Sequence, residues 1–250
     1  MQAKSGAIPP PLLVSGDFLS GSIVPRTVKL ADHAYDRIKT MLLEGGLRPG
    51  DKLSVIELGR KLECSRVPVM EAMKRLEAEG FVDIVPQVGC RVVQPEVANV
   101  ADFFELFAVT EALVAGLAAR RRTAADCDEF RKLCGEIGRR LESAGAPPQR
   151  DPTHRQLNLL YHRQIHRMAR APEPSRIAAG LWDRSDFYIC IAFGALYFSR
   201  RVRMAHRAVR EAILAGDADA AEAAMRIHLK AVGVGVTAAL QKQSDRVRRE

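Results

Sequence analysis

Four side chains in the C-terminal half of the chain are spaced so that they could bind a divalent metal ion. Asn158 and His162 are four residues apart in a helical pattern, so they share one helix face. His206 lies 10 residues before Gly216, and His228 lies 11 residues after Asp217, where two antiparallel helices are expected to meet. At about 1.5 Å per residue, both imidazoles stand roughly 15 Å from that turn. The spacing predicts that they face one pocket.

The sequence leaves open whether two further histidines are ligands and whether the site is catalytic. His154 and His166 extend the pair into a stripe at spacing four, and we expect a polar stripe, although either could also supply a ligand. A set of histidines satisfied by neighbouring side chains is the structural alternative. Three histidines with an open coordination position could also activate water in a metal-dependent helical enzyme. No carboxylate in the sequence is obviously placed beside them as a general base.

A second group of side chains could contact nucleic acid. Ser65 precedes a predicted helix, Arg66–Glu79, whose N-terminus presents free N–H groups and a partial positive charge that suit a phosphate. The Arg66 guanidinium can bind guanine in a bidentate manner or hold a phosphate. Gly80 is expected to end this helix. Its buried stripe is expected to be Val69, Ala72, Met73 and Leu76, and the side chains expected to face outward are Arg66, Val67, Met70, Glu71 and Lys74.

Short elements in the first third of the chain would position that helix. Apolar residues at helical spacing predict a first helix, and the Ser54–Glu57 capping box starts a second. Two β segments then form a hairpin, which carries Gly89 and Arg91 toward the minor groove or the backbone of a duplex. Three helices and a hairpin form a winged helix-turn-helix. The elements are predicted at 30–43, 54–62, 66–79, 81–85 and 90–93.

The rest of the chain has helical periodicity throughout, which predicts an all-α antiparallel bundle. The protein is therefore expected to be mostly α, with a small β-hairpin in its N-terminal domain. The predicted helices cover 100–121, 124–143, 153–170, 175–198, 200–215 and 218–243. The predicted organisation is a flexible arm at 1–27, a DNA-binding domain at 28–95, a linker at 96–100, a helical domain at 101–243 and a basic tail at 244–250.

Composition narrows the class of protein. The chain has 250 residues, of which 47% are hydrophobic and 27% charged, as in soluble globular proteins. We find no run of about 20 apolar residues and no signal peptide, and so expect no membrane partner. Five cysteines without a CxxC pair indicate a reducing cytoplasm. A net charge of +8 favours polyanionic partners, nucleic acid included.

The N-terminal motifs resemble the GntR family of bacterial transcription regulators, and the helical region resembles the FadR-type effector domain called FCD. The resemblance implies a transcription repressor and not an enzyme. The repressor would bind a palindromic operator of double-stranded DNA as a homodimer, and a small-molecule effector would release it. The motifs are Leu47-Arg48-Pro49-Gly50-Asp51-Lys52-Leu53-Ser54, Leu58, Ser65–Met73 and Leu76–Val82. The DNA-binding residues it implies are Ser65, Arg66, Val67, Met70, Lys74, Gly89 and Arg91.

The resemblance also assigns a metal site and an effector position. Many FCD domains bind a divalent metal through an Asp and three His, whose positions fall on Asn158, His162, His206 and His228. Neutral Asn158 should hold Zn²⁺ or Ni²⁺ less tightly than Asp. An Arg that clamps an effector carboxylate in the family corresponds to Thr110 here, which weakens the case for a carboxylate metabolite.

Three further departures concern DNA. Ile56, Val67 and Met70 stand where the family commonly has Arg, Thr and Arg, so we expect weaker binding or a different operator. Lys74 is included among the DNA-binding residues, although a charged residue on an exposed helix face needs no partner. A chromosome-associated protein without an effector is a third alternative, and it would bind DNA regardless of metabolites.

Overall fold

The computed structural model describes residues 26–143, 152–194 and 199–247, which form nine helices and one three-stranded sheet. The prediction of a mostly α protein is confirmed. Of the predicted arm at 1–27, residues 1–25 lie outside the described residues. The elements are α1 Arg26–Leu43, β1 Lys52–Leu53, α2 Val55–Lys61, α3 Arg66–Ala78, β2 Val82–Val85, β3 Gly89–Val92, α4 Val97–Arg121, α5 Ala124–Ser143, α6 Pro152–Ala169, α7 Pro172–Phe193, α8 Arg200–Ala215 and α9 Ala218–Val247.

The N-terminal unit contains the predicted three helices and hairpin, with one added strand. The Ser54 hydroxyl accepts a hydrogen bond from the backbone N–H of Glu57 at 3.2 Å, as the capping box predicts. The strand order is β1-β3-β2, and both pairs are antiparallel. β1 was not predicted, because a two-residue strand is too short to show alternation. The buried side of α3 consists of Val69, Ala72, Met73 and Leu76, as expected.

The helical unit is built around α4, which packs most extensively against α9. Gly233 allows this close approach, because a Cβ there would lie 2.6 Å from Cβ of Phe104. Two predicted segments are partly helical in the structure. The linker at 96–100 is helical from Val97, because Val97 and Val100 pack on the core and continue the apolar stripe of α4. The tail at 244–250 is helical as far as Val247, since α9 continues through it.

One helix among the described residues is long and apolar enough to cross a membrane, judged by length and composition alone. It is the Ala218–Asp245 part of α9, with a mean hydropathy of 1.2. Its apolar residues are interrupted by Arg226 and Lys230, so they do not form the continuous run of about 20 that the sequence was searched for. In the structure α9 is the main neighbour of α4, a position that a core helix of a bundle also takes.

The two units contact each other through α1, the end of α3 and α7. Nζ of Lys39 lies 2.7 Å from Oε2 of Glu79 and 2.7 Å from Oδ2 of Asp183. The phenyl rings of Phe81 and Phe187 meet edge to face, with 5.4 Å between their centroids. Lys39 is largely buried, so its charge is compensated by carboxylates from both units.

We expect Lys39→Met to lower the free energy of unfolding by about 1–2 kcal/mol. The variant loses hydrogen bonds to two carboxylates and to the Tyr35 hydroxyl, and the partial exposure of the carboxylates moderates the loss. Urea denaturation measures the change. Lys132→Met, on the exposed surface of α5, is the matched control and should alter stability little. Equal stability of both variants would show that this ion-pair group does not stabilise the chain.

Candidate functional site

Three predicted ligands meet at the centre of the helical unit. His162 of α6, His206 of α8 and His228 of α9 are all buried. One ring nitrogen from each lies within 4.8 Å of the others. The Nε2 atoms of His206 and His228 are 3.1 Å apart. His206 and His228, which the sequence places at equal distances from the turn at Gly216, therefore do form a side-chain cluster with His162.

A buried carboxylate from α4 lies beside one of these histidines. Oε2 of Glu111 lies 3.4 Å from Nδ1 of His162. The other carboxylate oxygen accepts a hydrogen bond from the Trp182 indole at 2.9 Å and lies 2.8 Å from Nε2 of His166. Sequence reasoning found no carboxylate beside the histidines and missed Glu111. The available signal was Glu111 itself, the one charged residue within the segment Leu106–Ala119.

The protonation states suit metal binding. Burial, together with the neighbouring histidines, lowers the pKa of His228 to about 3 and that of His206 well below its ordinary value. Burial also lowers the pKa of His162, although Glu111 opposes this. Burial alone would raise the pKa of Glu111, but hydrogen bonds to His162 and His166 outweigh it and lower the pKa to about 2. Neutral imidazoles are the form that ligates metals.

The arrangement fits a divalent metal ion by its donor chemistry. Both ring nitrogens of His162 are buried without a hydrogen-bond partner in the described structure, and a free Nε2 is the expected state of a nitrogen reserved for a ligand. Its other nitrogen faces a carboxylate, the usual outer partner of a metal-bound histidine. His162, His206 and His228 would hold the ion. The ion would offer an open position to an anionic ligand.

The remaining polar residues of α6 have different surroundings. Asn158, the fourth predicted ligand, is buried one turn before His162. It lines the same cavity as His228. His166 pairs with Glu111 instead of joining the three histidines, and His154 is buried outside that group. Asn158 is thus the remaining candidate for a fourth contact.

A cavity of about 640 Å³ adjoins the histidines, and its size is typical of small-molecule sites. It lies between α7, α8 and α9, with Asn158 contributed by α6. Its described lining residues are Asn158, Trp182, Ser185, Ile189, Phe193, Ser199, Arg201, Val202, Ala205, Ile227, His228, Leu229, Ala231, Val232 and Gly235.

The structure does not place Thr110, the predicted effector-binding residue, at this cavity. Thr110 is absent from the described lining, and its hydroxyl donates a hydrogen bond to the Leu106 carbonyl at 2.9 Å. The side of α4 that faces the site carries Glu111 and the buried Phe107, whose ring packs edge to face on Trp182. Thr110, which the resemblance selected, is thus adjacent in sequence to Glu111, the residue that packing places on the inner face of α4.

The predicted DNA-contacting residues lie at the N-terminus of α3 and on the hairpin. Ser65 is the N-cap, but its side chain makes no capping hydrogen bond and is exposed. Arg66 and Lys74 are exposed, and Val67 is 60% exposed. Met70 is half-buried and packs against the core, so it faces outward less than expected.

The hairpin places its two predicted residues on β3. Gly89 is exposed, with φ of 118°, a conformation that favours glycine. Arg91 is also exposed, and its Nε lies 3.2 Å from Oδ2 of Asp83 on β2. This exposed ion pair is weak enough to be exchanged for a phosphate. Near the start of α3, Ile56 and Arg60 border a surface cavity of about 530 Å³ that also reaches Ser65 and Arg66.

An exposed helix start, a β wing and a helical domain with a buried histidine group define the class of transcription regulators with a winged helix-turn-helix. The chain matches "Bacterial regulatory proteins, gntR family" over residues 30–92 and "FCD domain" over residues 102–231. It therefore belongs to the GntR family, with the FadR-like combination of a DNA-binding domain and an FCD domain. GntR regulators bind DNA and bind an effector in the FCD domain.

Individual relatives agree with this assignment. The HTH-type transcriptional regulator LutR of Bacillus subtilis (strain 168) is 29% identical over 214 residues, covering 76% of this chain and 93% of LutR. The solved structure of E. coli McbR/YncC has a TM-score of 0.66 at 20% identity, covering 86% of this chain and 98% of that chain. A putative GntR regulator from Rhodococcus sp. RHA1 has a TM-score of 0.63 at 16% identity, covering 83% and 97%. These proteins are regulators and not enzymes.

Proposed function

We propose that the protein is a cytoplasmic, effector-responsive repressor that binds a palindromic operator as a homodimer and leaves it when a small molecule enters the FCD cavity. One observation carries the proposal. A cavity of about 640 Å³ reaches His228, and the helix that lines it also contacts the DNA-binding domain. A ligand that prefers one position of this helix would shift the position of the DNA-binding domain.

Helix α7 supplies that connection. Trp182, Ser185 and Ile189 line the cavity. On the adjoining side, Asp183 pairs with Lys39 of α1 and Phe187 packs on Phe81. Displacement of α7 therefore acts directly on contacts of the DNA-binding domain.

Helix α6, which carries Asn158 and His162, connects to the same ion pairs. Nε of Arg155, three residues before Asn158 on α6, donates a hydrogen bond to Oδ2 of Asp186 at 2.6 Å. The same guanidinium lies 3.4 Å from Oδ1 of Asp183. A continuous series of ion pairs thus runs from α6 through α7 to Lys39 and Glu79. Changes around Asn158 and His162 would be transmitted along it.

For the DNA-binding domain, we propose that the start of α3 enters the major groove. The unused Ser65 hydroxyl and the N–H groups at this helix start would receive a phosphate, and Arg66 would reach a base edge. Gly89 and Arg91 on the hairpin would contact the adjoining minor groove or backbone, and Lys74 a phosphate. Val67 would make apolar contact, whereas the half-buried Met70 mainly supports the helix.

For the metal, we propose Zn²⁺ or Ni²⁺ on His162, His206 and His228, with the Asn158 carbonyl oxygen as a further ligand. Imidazole nitrogens suit both ions. Because the Asn158 amide carries no charge, the ion would be held less tightly than it would be by a carboxylate there. An anionic effector would then add the missing negative charge.

For the homodimer, we propose that α4 supplies the contact surface. Leu106, Val109 and Leu113 are 57%, 47% and 43% exposed and follow one another at spacings of three and four, so they form a single apolar stripe. A second copy would remove this stripe from water.

We expect Leu106→Glu to shift the protein from dimer to monomer, because a buried unpaired carboxylate opposes association. Sedimentation velocity measures the shift. The fold should persist, since Leu106 is already exposed in the monomer. Leu160→Glu, which replaces a 46% exposed leucine on α6, is the matched control and should remain dimeric. A dimeric Leu106→Glu variant would place the interface elsewhere.

The proposed function is tested by recovering genomic fragments that the purified protein binds and measuring their release by metabolites. We expect one palindromic sequence to be enriched and at least one metabolite to reduce its retention in gel-shift assays. Binding that is independent of sequence and unaffected by metabolites would instead support the chromosome-associated alternative.

A further inference from the structure

The outward side of α3 carries an apolar side chain directly beside its first arginine. Val67 is 60% exposed at the second position of α3, immediately after Arg66. Ile56 on α2 is 47% exposed and borders the same surface cavity as Arg66. Neither aliphatic side chain can donate or accept a hydrogen bond, so neither can recognise a base or a phosphate through polar groups. What they offer to a duplex is apolar contact.

The Val67 side chain is held in a fixed direction. It is β-branched, which leaves one strongly preferred rotamer in a helix. The next two residues, Pro68 and Val69, are buried, so the first turn of α3 is anchored on the core. A side chain with one rotamer loses little conformational entropy when a partner covers it. Val67 thus presents its two methyl groups in one direction, and little entropy opposes their burial.

An acidic neighbour indicates which part of a duplex this side of α3 faces. Glu71 lies one turn after Val67 on the same helix face, is exposed, and makes no ion pair within the described residues. Phosphates repel a carboxylate, whereas the amino group of cytosine in the major groove can donate a hydrogen bond to one. The side of α3 that carries Val67 and Glu71 therefore suits base edges better than the phosphate backbone.

We propose that Val67 recognises the 5-methyl group of a thymine that lies within one base pair of the guanine contacted by Arg66. This inference rests on the proposed function, because it names what the same helix recognises in the operator. In the major groove, the thymine methyl is the apolar group that the base edges present. Consecutive Cα atoms are about 3.8 Å apart and successive base pairs about 3.4 Å, so neighbouring side chains reach the same or adjacent base pairs.

Selection of binding sites by the full chain from a library of random DNA duplexes, followed by removal of single methyl groups, tests the proposal. We expect each half-site of the selected palindrome to contain a thymine within one base pair of a guanine. Replacing that thymine by deoxyuridine removes the methyl group and keeps the base pair. In gel-shift assays, one replacement should weaken binding about fourfold, and one in each half-site about 15-fold, because a buried methyl contributes about fourfold in affinity.

The variant Val67→Ala identifies the side chain that recognises the methyl. It removes both methyl groups of Val67, and the fold should persist because this side chain is exposed. We expect Val67→Ala to bind the thymine and deoxyuridine duplexes with equal affinity. Val234→Ala is the matched control, because it truncates a 69% exposed valine on α9 in the helical domain. Val234→Ala should show the same difference between the two duplexes as the parent protein.

The possible failures of this inference are distinct from those of the proposed function. Equal binding of the two duplexes by the parent protein would overturn the inference, and so would a difference that persists in Val67→Ala. A selected half-site without a thymine beside the guanine would also overturn it. Each of these results leaves the proposed function standing, because a palindrome has still been selected. A library from which no sequence is enriched contradicts the proposed function and this inference together.

Discussion

Replacing Arg66 by alanine is expected to abolish sequence-specific operator binding while leaving the fold intact. Arg66 is exposed at the first position of α3, and within the described residues it makes no hydrogen bond or ion pair. A bidentate contact between arginine and guanine contributes about 1–3 kcal/mol of discrimination, and a dimer on a palindrome makes two. We therefore expect affinity for the operator to fall about 100-fold or more in a gel-shift assay.

The matched control for Arg66→Ala is Arg131→Ala, which removes the same positive charge from the surface of α5. Arg131 is 57% exposed and pairs only locally with Asp128. Arg131→Ala should retain operator affinity, and both variants should keep the circular dichroism of the parent protein. If Arg66→Ala binds the operator as tightly as Arg131→Ala does, then the start of α3 does not read DNA.

The double variant His206→Ala plus His228→Ala is expected to lose its bound metal ion. The Nε2 atoms of these residues are 3.1 Å apart, and removing both leaves His162 as the last imidazole of the group. Metal analysis of the purified protein should show stoichiometric Zn²⁺ or Ni²⁺ in the parent and only background in the variant. Saturating metal should raise the melting temperature of the parent alone, since a ligand at 100 times its Kd stabilises by about 2.7 kcal/mol.

Two further variants make the metal prediction specific. His33→Ala removes an exposed histidine from α1 and should leave the metal content unchanged. Asn158→Asp supplies a charged oxygen beside His162 and should tighten metal binding on the order of 10-fold. Undiminished metal in the double variant would place the ion elsewhere. An unchanged affinity in Asn158→Asp would remove Asn158 from the ligand set.

Local sequence patterns predicted the DNA-binding domain closely. Capping at Ser54, the stop at Gly80 and the apolar side of α3 each depend on residues within a few positions of one another, and the structure has all three. β1 could not be predicted in this way. It exists through pairing of Lys52 and Leu53 with residues nearly 40 positions later.

The histidine group shows how much of the site can be predicted from helix geometry alone. The height of His206 and His228 above their turn follows from the constant rise of an α-helix, so the sequence alone places them level. Which direction a helix turns its side chains depends on its packing partners. Glu111, rather than Thr110, faces the site because α4 is rotated to fit its apolar stripe against α9 and α6.

By itself, the sequence determined the winged helix-turn-helix, the start of α3 and the equal heights of His206 and His228, because helix caps, periodicity and rise are local properties of the chain. Only the tertiary structure decided that Glu111 supports His162, that Lys39 joins Glu79 to Asp183 and that the cavity has apolar walls. Each of these depends on side chains from different helices meeting in space, and helix packing sets those distances.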